Sequence, residues 1–191
     1  MAQRDAQATK ARILAAAVEE FAKHGHAGGR IERISSNSGS NVRMIYAYFG
    51  GKSGLFDEAL AVALSAMAAA VPPRPEDLPG WAGDLFDYHQ RDPSALRISL
   101  WAQLERPEAA SEPMQSYLDK ASVLSDAASG PLTAVDLLVV IYAVAQAWQL
   151  APIGLLQSNH ADPRSTEAIA SYRQAVVHSV RCITACEISS G

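Results

Sequence analysis

Apolar residues recur at steps of three and four along most of the chain, the spacing that gathers them on one face of an α-helix. Leu14, Val18 and Phe21, with Ile13 and Ala17 beside them, predict a helix over 9–24 that Gly25 stops. Two short segments follow. Ile31 and Ile34 mark an apolar edge over 30–37, and Ile45 and Phe49 mark another over 42–49, with Gly39 between them. Gly50-Gly51 breaks the pattern, and Lys52 opens a helix running to about residue 70 through Leu55, Phe56, Ala59, Leu60, Val62 and Ala63. Residues 71–80 hold four prolines and cannot be helix interior. Further helices are expected over 81–90, 94–105, 112 or 113 to 128, 133–150 and 165–187. β-Branched runs bounded by turns are scarce, so the pattern predicts an all-α chain.

The stretch 30–49 organises the rest. Gly39 can supply the turn because it tolerates positive φ without a Cβ clash. Asn41 is placed to cap the second short helix, its side chain accepting an orphan backbone N–H. With Ile45 and Phe49 facing inward, Val42, Arg43 and Tyr46 face outward, a cation and a phenol among them. A short second helix exposing such groups is the layout of a DNA-reading helix-turn-helix. Arginine is the commonest reader of guanine, worth about 1–3 kcal/mol of discrimination when bidentate. Lys52, at a helix start beside this unit, is placed to meet a phosphate that the helix N-terminus also favours. Lys10 and Arg12 could reach one as well.

Charge supports a polyanion-facing front. The net charge is −4, but residues 1–56 carry eight Lys/Arg and only four Asp/Glu, whereas the remainder is strongly acidic. The two cysteines, Cys182 and Cys186, do not make a disulfide framework, which points to a reducing, cytoplasmic compartment. The run Ile13–Val18 is too short for a signal peptide. Residues 134–153 are interrupted by Asp136, Gln146, Gln149 and Pro152, so they suit a buried helix better than a membrane span. No Walker loop, dinucleotide glycine pattern, Gly-x-Ser-x-Gly or His-Glu-x-x-His occurs, and the five histidines form no catalytic cluster; no enzyme, cofactor or metal is expected.

Residues 9–60 resemble the DNA-binding head of the tetracycline-repressor (TetR) family of bacterial transcriptional regulators. The resemblance rests on I-L-A-A-A-V-E-E-F-A-K-H-G at 13–25, R-I-E-R-I-S at 30–35, G-S-N-V-R-M-I-Y-A-Y-F at 39–49 and K-S-G-L-F at 52–56. It implies an N-terminal three-helix head over 1–56 with its motif at 30–49, a connecting helix over 52–70, and a ligand-binding and dimerisation body over 71–191. It further implies a homodimer formed through the last two long helices, palindromic double-stranded DNA as one partner and a largely apolar small-molecule effector as another. Carried onto this sequence, Asn41, Val42 and Arg43 face base edges. Tyr46 and Lys52 hold phosphates, Tyr48 either holds one or packs, and Arg30 assists at the start of its helix. The chain departs from the family pattern at Gly28-Gly29, Gly51 and Gly54, which predicts a soft start to the connecting helix and a mobile head.

In the body, the helix over 133–150 divides into three stripes. Leu137, Ile141, Val144 and Trp148 suit a core. Val140, Ala143 and Ala147 suit close helix approach. Leu138, Tyr142, Gln146 and Gln149, apolar with polar handles, suit either a pocket wall or ordinary packing. Trp101 and Trp81 are further pocket candidates. His178, Cys182 and Cys186 share one side of the last helix. Spread over about 12 Å of axis they cannot surround one ion, so buried thiols at a helix interface are expected. The functional expectation is a sequence-specific regulator, a repressor released from its operator by a small molecule. The alternatives are an architectural DNA binder without ligand response and a helical enzyme.

Overall fold

The computed structural model describes residues 2–107, 114–125, 128 and 132–185, with residues 2–4 and 114–116 by backbone alone. Ten α-helices and no strand occur among them. They are α1 (Ala2–Gly28), α2 (Ile31–Ser38), α3 (Val42–Phe49), α4 (Lys52–Ala70), α5 (Leu78–Arg91), α6 (Ser94–Glu105), α7 (Met114–Val123), α8 (Ala134–Leu150), α9 (Ile153–Gln157) and α10 (Thr166–Thr184). The boundaries follow local chemistry. Thr133 and Asp136 form a reciprocal capping box at the start of α8, and the Ser165 side chain accepts the Ala168 N–H at the start of α10. The short α9 was not expected from the pattern: five residues are too few to show a period. Cys186 and the expected limits at 112–113, 130–131 and 187 lie outside the described residues.

The chain packs as two units that do not follow chain order. The first comprises Met1–Ala69 with Asp92–Met114, the second Ala70–Arg91 with Gln115–Gly191. α6, which lies within the expected body over 71–191, packs with the first unit. The reason is local. α6 buries Ala95, Ile98 and Ala102 and packs along α1. At Gly25, where α1 is kinked with φ 70°, a Cβ would come within 2.9 Å of the Trp101 ring. Only glycine both adopts that φ without strain and leaves room for the indole. Arg97 Nε donates to the Ala22 carbonyl at 2.9 Å and fixes the same pair of helices.

The connecting helix α4 is the one described helix long and apolar enough, by length and composition, to cross a membrane. Its apolar residues are used otherwise, since Leu55, Phe56, Ala59, Leu60, Ala63, Leu64 and Met67 are buried. Its charges are paired too: Glu58 with Lys10 and Asp57 with Arg106.

In the second unit, α5 packs on α8 and α10. Trp81, Leu85, Phe86, Leu137, Ile141, Tyr172, Val176 and Val180 are buried in one core. The expected core stripe of α8 lies there, with Val144 and Trp148 packed against it. Trp81 is core, its indole N–H donating to the Val71 carbonyl. Arg173 bonds Asp87 at 2.7 Å and Asp84 at 3.3 Å, joining α10 to α5.

Candidate nucleic-acid interface

α2 and α3 are held together from below by isoleucines and joined by a turn that glycine permits. Ile34 and Ile45 are fully buried. α2 stops at Gly39, which takes φ 63°. The Ser40 N–H then returns to the Ser35 carbonyl at 3.1 Å, closing the turn. Asn41 caps α3, its Oδ1 accepting the Met44 N–H at 2.9 Å. With Ile45 and Phe49 buried, α3 presents its other face outward: Arg43 is exposed and Tyr46 is 54% exposed. Val42 and Tyr48 are half-buried, the Tyr48 ring standing edge-on to Phe49.

Three of the cations expected to reach phosphate, Lys52, Lys10 and Arg12, are engaged within the unit. The Lys52 ammonium donates to the Ala27 carbonyl at 3.0 Å. From the other side, the Ala27 N–H donates to Glu105 of α6 at 3.0 Å, so one peptide residue at the end of α1 is held by α4 and α6 together. Arg30 is exposed at its side chain, while its backbone N–H donates to Glu20 at 2.8 Å. Lys10 is paired with Glu58 and lies over the Phe49 ring, and Arg12 bonds Thr9.

Glu20 is the residue that the pattern did not single out. It is 6% exposed in α1 and takes a forked hydrogen bond from Arg33 of α2. Burial alone would raise its pKa. The hydrogen bonds from Arg33 and from the Arg30 N–H, with the Arg33 charge, outweigh burial and hold the carboxyl below its usual 4.5. The signal was present in the sequence: Glu20 stands seven after Ile13 and three after Ala17, on the apolar face, where an acid needs a partner. His26 sits nearby with its ring edge-on to Phe56, 3.3 Å from Ser53 Oγ and 3.4 Å from the Arg106 guanidinium. Burial, then the Arg106 and Lys52 charges, press its pKa below 6.5.

The glycines that interrupt the motif have steric roles. A Cβ at Gly54 would fall 2.1 Å from the Phe49 carbonyl oxygen, and one at Gly29 would fall 2.6 Å from the Phe21 ring. Backbone passes too closely at both places for any side chain.

The expected pocket residues divide between the two units. Trp101 belongs to the first, against Gly25, apart from the other four. In the second, Leu138 is buried and Tyr142 O–H lies 2.8 Å from the ammonium of Lys120. Lys120 is itself buried, over the rings of Tyr117 and Tyr142. Gln146 Nε2 lies 3.4 Å from His89 Nε2, and both amide atoms of Gln149 are buried without a partner. Cys182 corrects the expectation of a buried thiol. It is exposed, 3.5 Å from His178 Nε2, because this side of α10 faces away from the α5 and α8 contacts. Among the described residues no three His, Cys, Asp or Glu side chains cluster as an ion would require.

Comparison with known proteins agrees with this arrangement. Residues 13–59 match the family model described as bacterial regulatory proteins, tetR family. Residues 77–182 match the tetracyclin repressor-like C-terminal domain. The HTH-type transcriptional repressor SCO4008 of Streptomyces coelicolor is 41% identical over 154 residues, covering 76% of this chain and 80% of that one. The HTH-type transcriptional repressor NicS of Pseudomonas putida is 57% identical over 51 residues, 27% of this chain and 24% of that one. Among solved structures, the transcriptional regulator SCO4942 of Streptomyces coelicolor superposes with a TM-score of 0.78 at 32% identity. It covers 92% of this chain and 97% of its own.

Proposed function

Since the chain belongs to the TetR family of bacterial transcriptional regulators, we propose that it is a cytoplasmic homodimeric repressor that leaves its operator when a small molecule binds. The observation that carries this reading is α3, a capped helix whose inner face is fully buried and whose outer face offers Arg43 and Tyr46. In this reading Arg43 reads a base edge, with Val42 and Asn41 beside it. Tyr46, Lys52, Arg30 and Tyr48 position the unit on phosphates. Because Asn41 spends its carbonyl oxygen on the cap, its free amide N–H₂ is what it offers DNA.

The dimer forms through α8 and α10. Val135, Val139 and Ala143 of α8 are exposed along one side, an apolar strip of small and medium side chains suited to a second copy. Two-fold symmetry then sets the two α3 helices on half-sites about 34–36 Å apart or a multiple of it. The effector is largely apolar and contacts the stripe Leu138, Tyr142, Gln146 and Gln149. The unpartnered Gln149 amide supports that placement, since a buried amide without a partner costs free energy that a bound molecule recovers. Release follows if the effector prefers a body conformation that spaces the two heads wrongly.

Selection from a pool of random duplexes tests the reading. A palindrome with half-sites one helical turn or a multiple apart is expected. Recovery of no preferred sequence would sink the repressor reading and favour an architectural binder.

A further inference from the structure

The C-terminal end of α8, α9 and the first half of α10 line a second cavity, open on one side and separate from the stripe assigned above. Its volume is about 370 Å³, at the lower end of the range for small-molecule sites. Ala147, Ala151, Leu155 and Leu156 give it apolar walls, and Trp148 and Tyr172 give it aromatic ones. The two rings lie 5.7 Å apart and are inclined by 35°, so they form one continuous surface. No charged side chain stands among its lining residues.

One polar group in this wall, and another on a residue packed against it, lack partners. Tyr172 is 4% exposed, and its hydroxyl is buried without a hydrogen bond. The His160 ring packs edge-on to Tyr172 at 5.4 Å, and its Nε2 is likewise buried and unpartnered. Ser158, in the same wall, has a partner: its Oγ donates to the Leu155 carbonyl at 2.6 Å. Most buried polar groups in proteins are paired. The one in the cavity wall, the Tyr172 hydroxyl, marks a place where a ligand atom is wanted. A phenol can donate or accept, so it suits a group that does either. The apolar, uncharged lining strongly disfavours an ion.

We propose that this cavity binds a neutral, planar aromatic molecule of two or three fused rings bearing one hydroxyl or lactam group. The rings lie against Trp148 and Tyr172, and the polar group meets the Tyr172 hydroxyl. This proposal does not depend on the DNA-binding reading, because the ligand is recognised by the second unit alone.

Isothermal titration calorimetry of the full chain with 2-naphthol, naphthalene and 2-naphthoate tests it, with no DNA present. Saturable binding of 2-naphthol with Kd below about 100 µM is expected, and binding of the anionic 2-naphthoate at least about tenfold weaker. Tyr172→Phe should weaken 2-naphthol about fivefold to tenfold, the usual effect of one hydrogen bond, and leave naphthalene unchanged. Ala175→Phe should fill the cavity and abolish both. Ala151→Phe does the same from the α8 side, should the first variant fail to fold by circular dichroism. Leu118→Ala, on the exposed side of α7, should leave 2-naphthol binding as it was. The proposal is overturned by absence of saturable 2-naphthol binding, by equal affinity for naphthol and naphthoate, or by folded cavity-filling variants that still bind.

Discussion

A single arginine and a single lysine separate reading from positioning. Arg43 extends from α3 with no partner among the described residues, whereas Lys52 is tied to the Ala27 carbonyl. Arg43→Ala is therefore expected to relax base preference at one position per half-site, a loss of about 1–3 kcal/mol of discrimination. Lys52→Ala should weaken all duplexes alike and reduce the salt slope by about one. Binding of a panel of single-base operator variants at three salt concentrations separates the two. Glu20 and Arg33 act on stability instead. Arg33→Ala leaves a buried carboxylate without its fork, and a lower midpoint in urea unfolding is expected.

These groups also set an acid limit. His26 in the fold titrates below 6.5 and Glu20 below 4.5. Both pKa values are depressed by folding, so the unfolded chain takes up protons first as pH falls. The stability linked to His26 is complete above pH 6.5 and is lost as pH falls through its lower folded value. The Glu20 contribution persists to about pH 4.5 and is lost below it. A fall in melting temperature in two stages is expected, and His26→Gln should remove the upper stage while leaving the lower one.

At the scale of elements, the glycines change meaning. From sequence, Gly54 reads as a weak point at the start of α4. In the fold it allows α4 to begin where the Phe49 carbonyl ends α3. Gly54→Ala should thus lower stability by about 1–3 kcal/mol through overpacking. Gly28→Ala, whose Cβ would find only ordinary contact at 3.5 Å, should change it by less than about 0.5 kcal/mol. Amide exchange at 52–58 as slow as in α1 would show that tight packing, rather than softness, governs this junction.

What the sequence made legible at this scale was whatever local spacing encodes. The short pair of helices, the Asn41 cap and the start of α8 at Thr133 all follow from residues within a turn of one another. The Glu20–Arg33 fork, the Trp101–Gly25 contact and the walls of the second cavity join residues 13, 76 and up to 28 positions apart. No periodicity registers such pairs. α9 escaped because five residues do not complete two turns.

For the whole molecule, the chain's order and its packing order differ. A segment distant in sequence, α6, returns to the unit that carries α3, while α5 before it and the chain from Gln115 onward belong to the second unit. Removing residues 92–114 should for that reason destabilise the DNA-binding head, whereas a boundary drawn at residue 71 would treat them as dispensable to it. A fragment of residues 1–70 is expected to melt lower than the first unit does within the full chain, as followed by exchange of the α1 amides.

The placement of Trp101 has an optical consequence. Of the three tryptophans in the chain, Trp101 lies in the first unit against Gly25, and Trp81 and Trp148 lie in the second. Replacing the latter two by phenylalanine leaves one indole, half-buried on the kinked end of α1, two residues before Ala27 and the Lys52 bond. Its emission then serves as a built-in reporter of the reading unit, able to follow operator capture and release in real time without an attached dye.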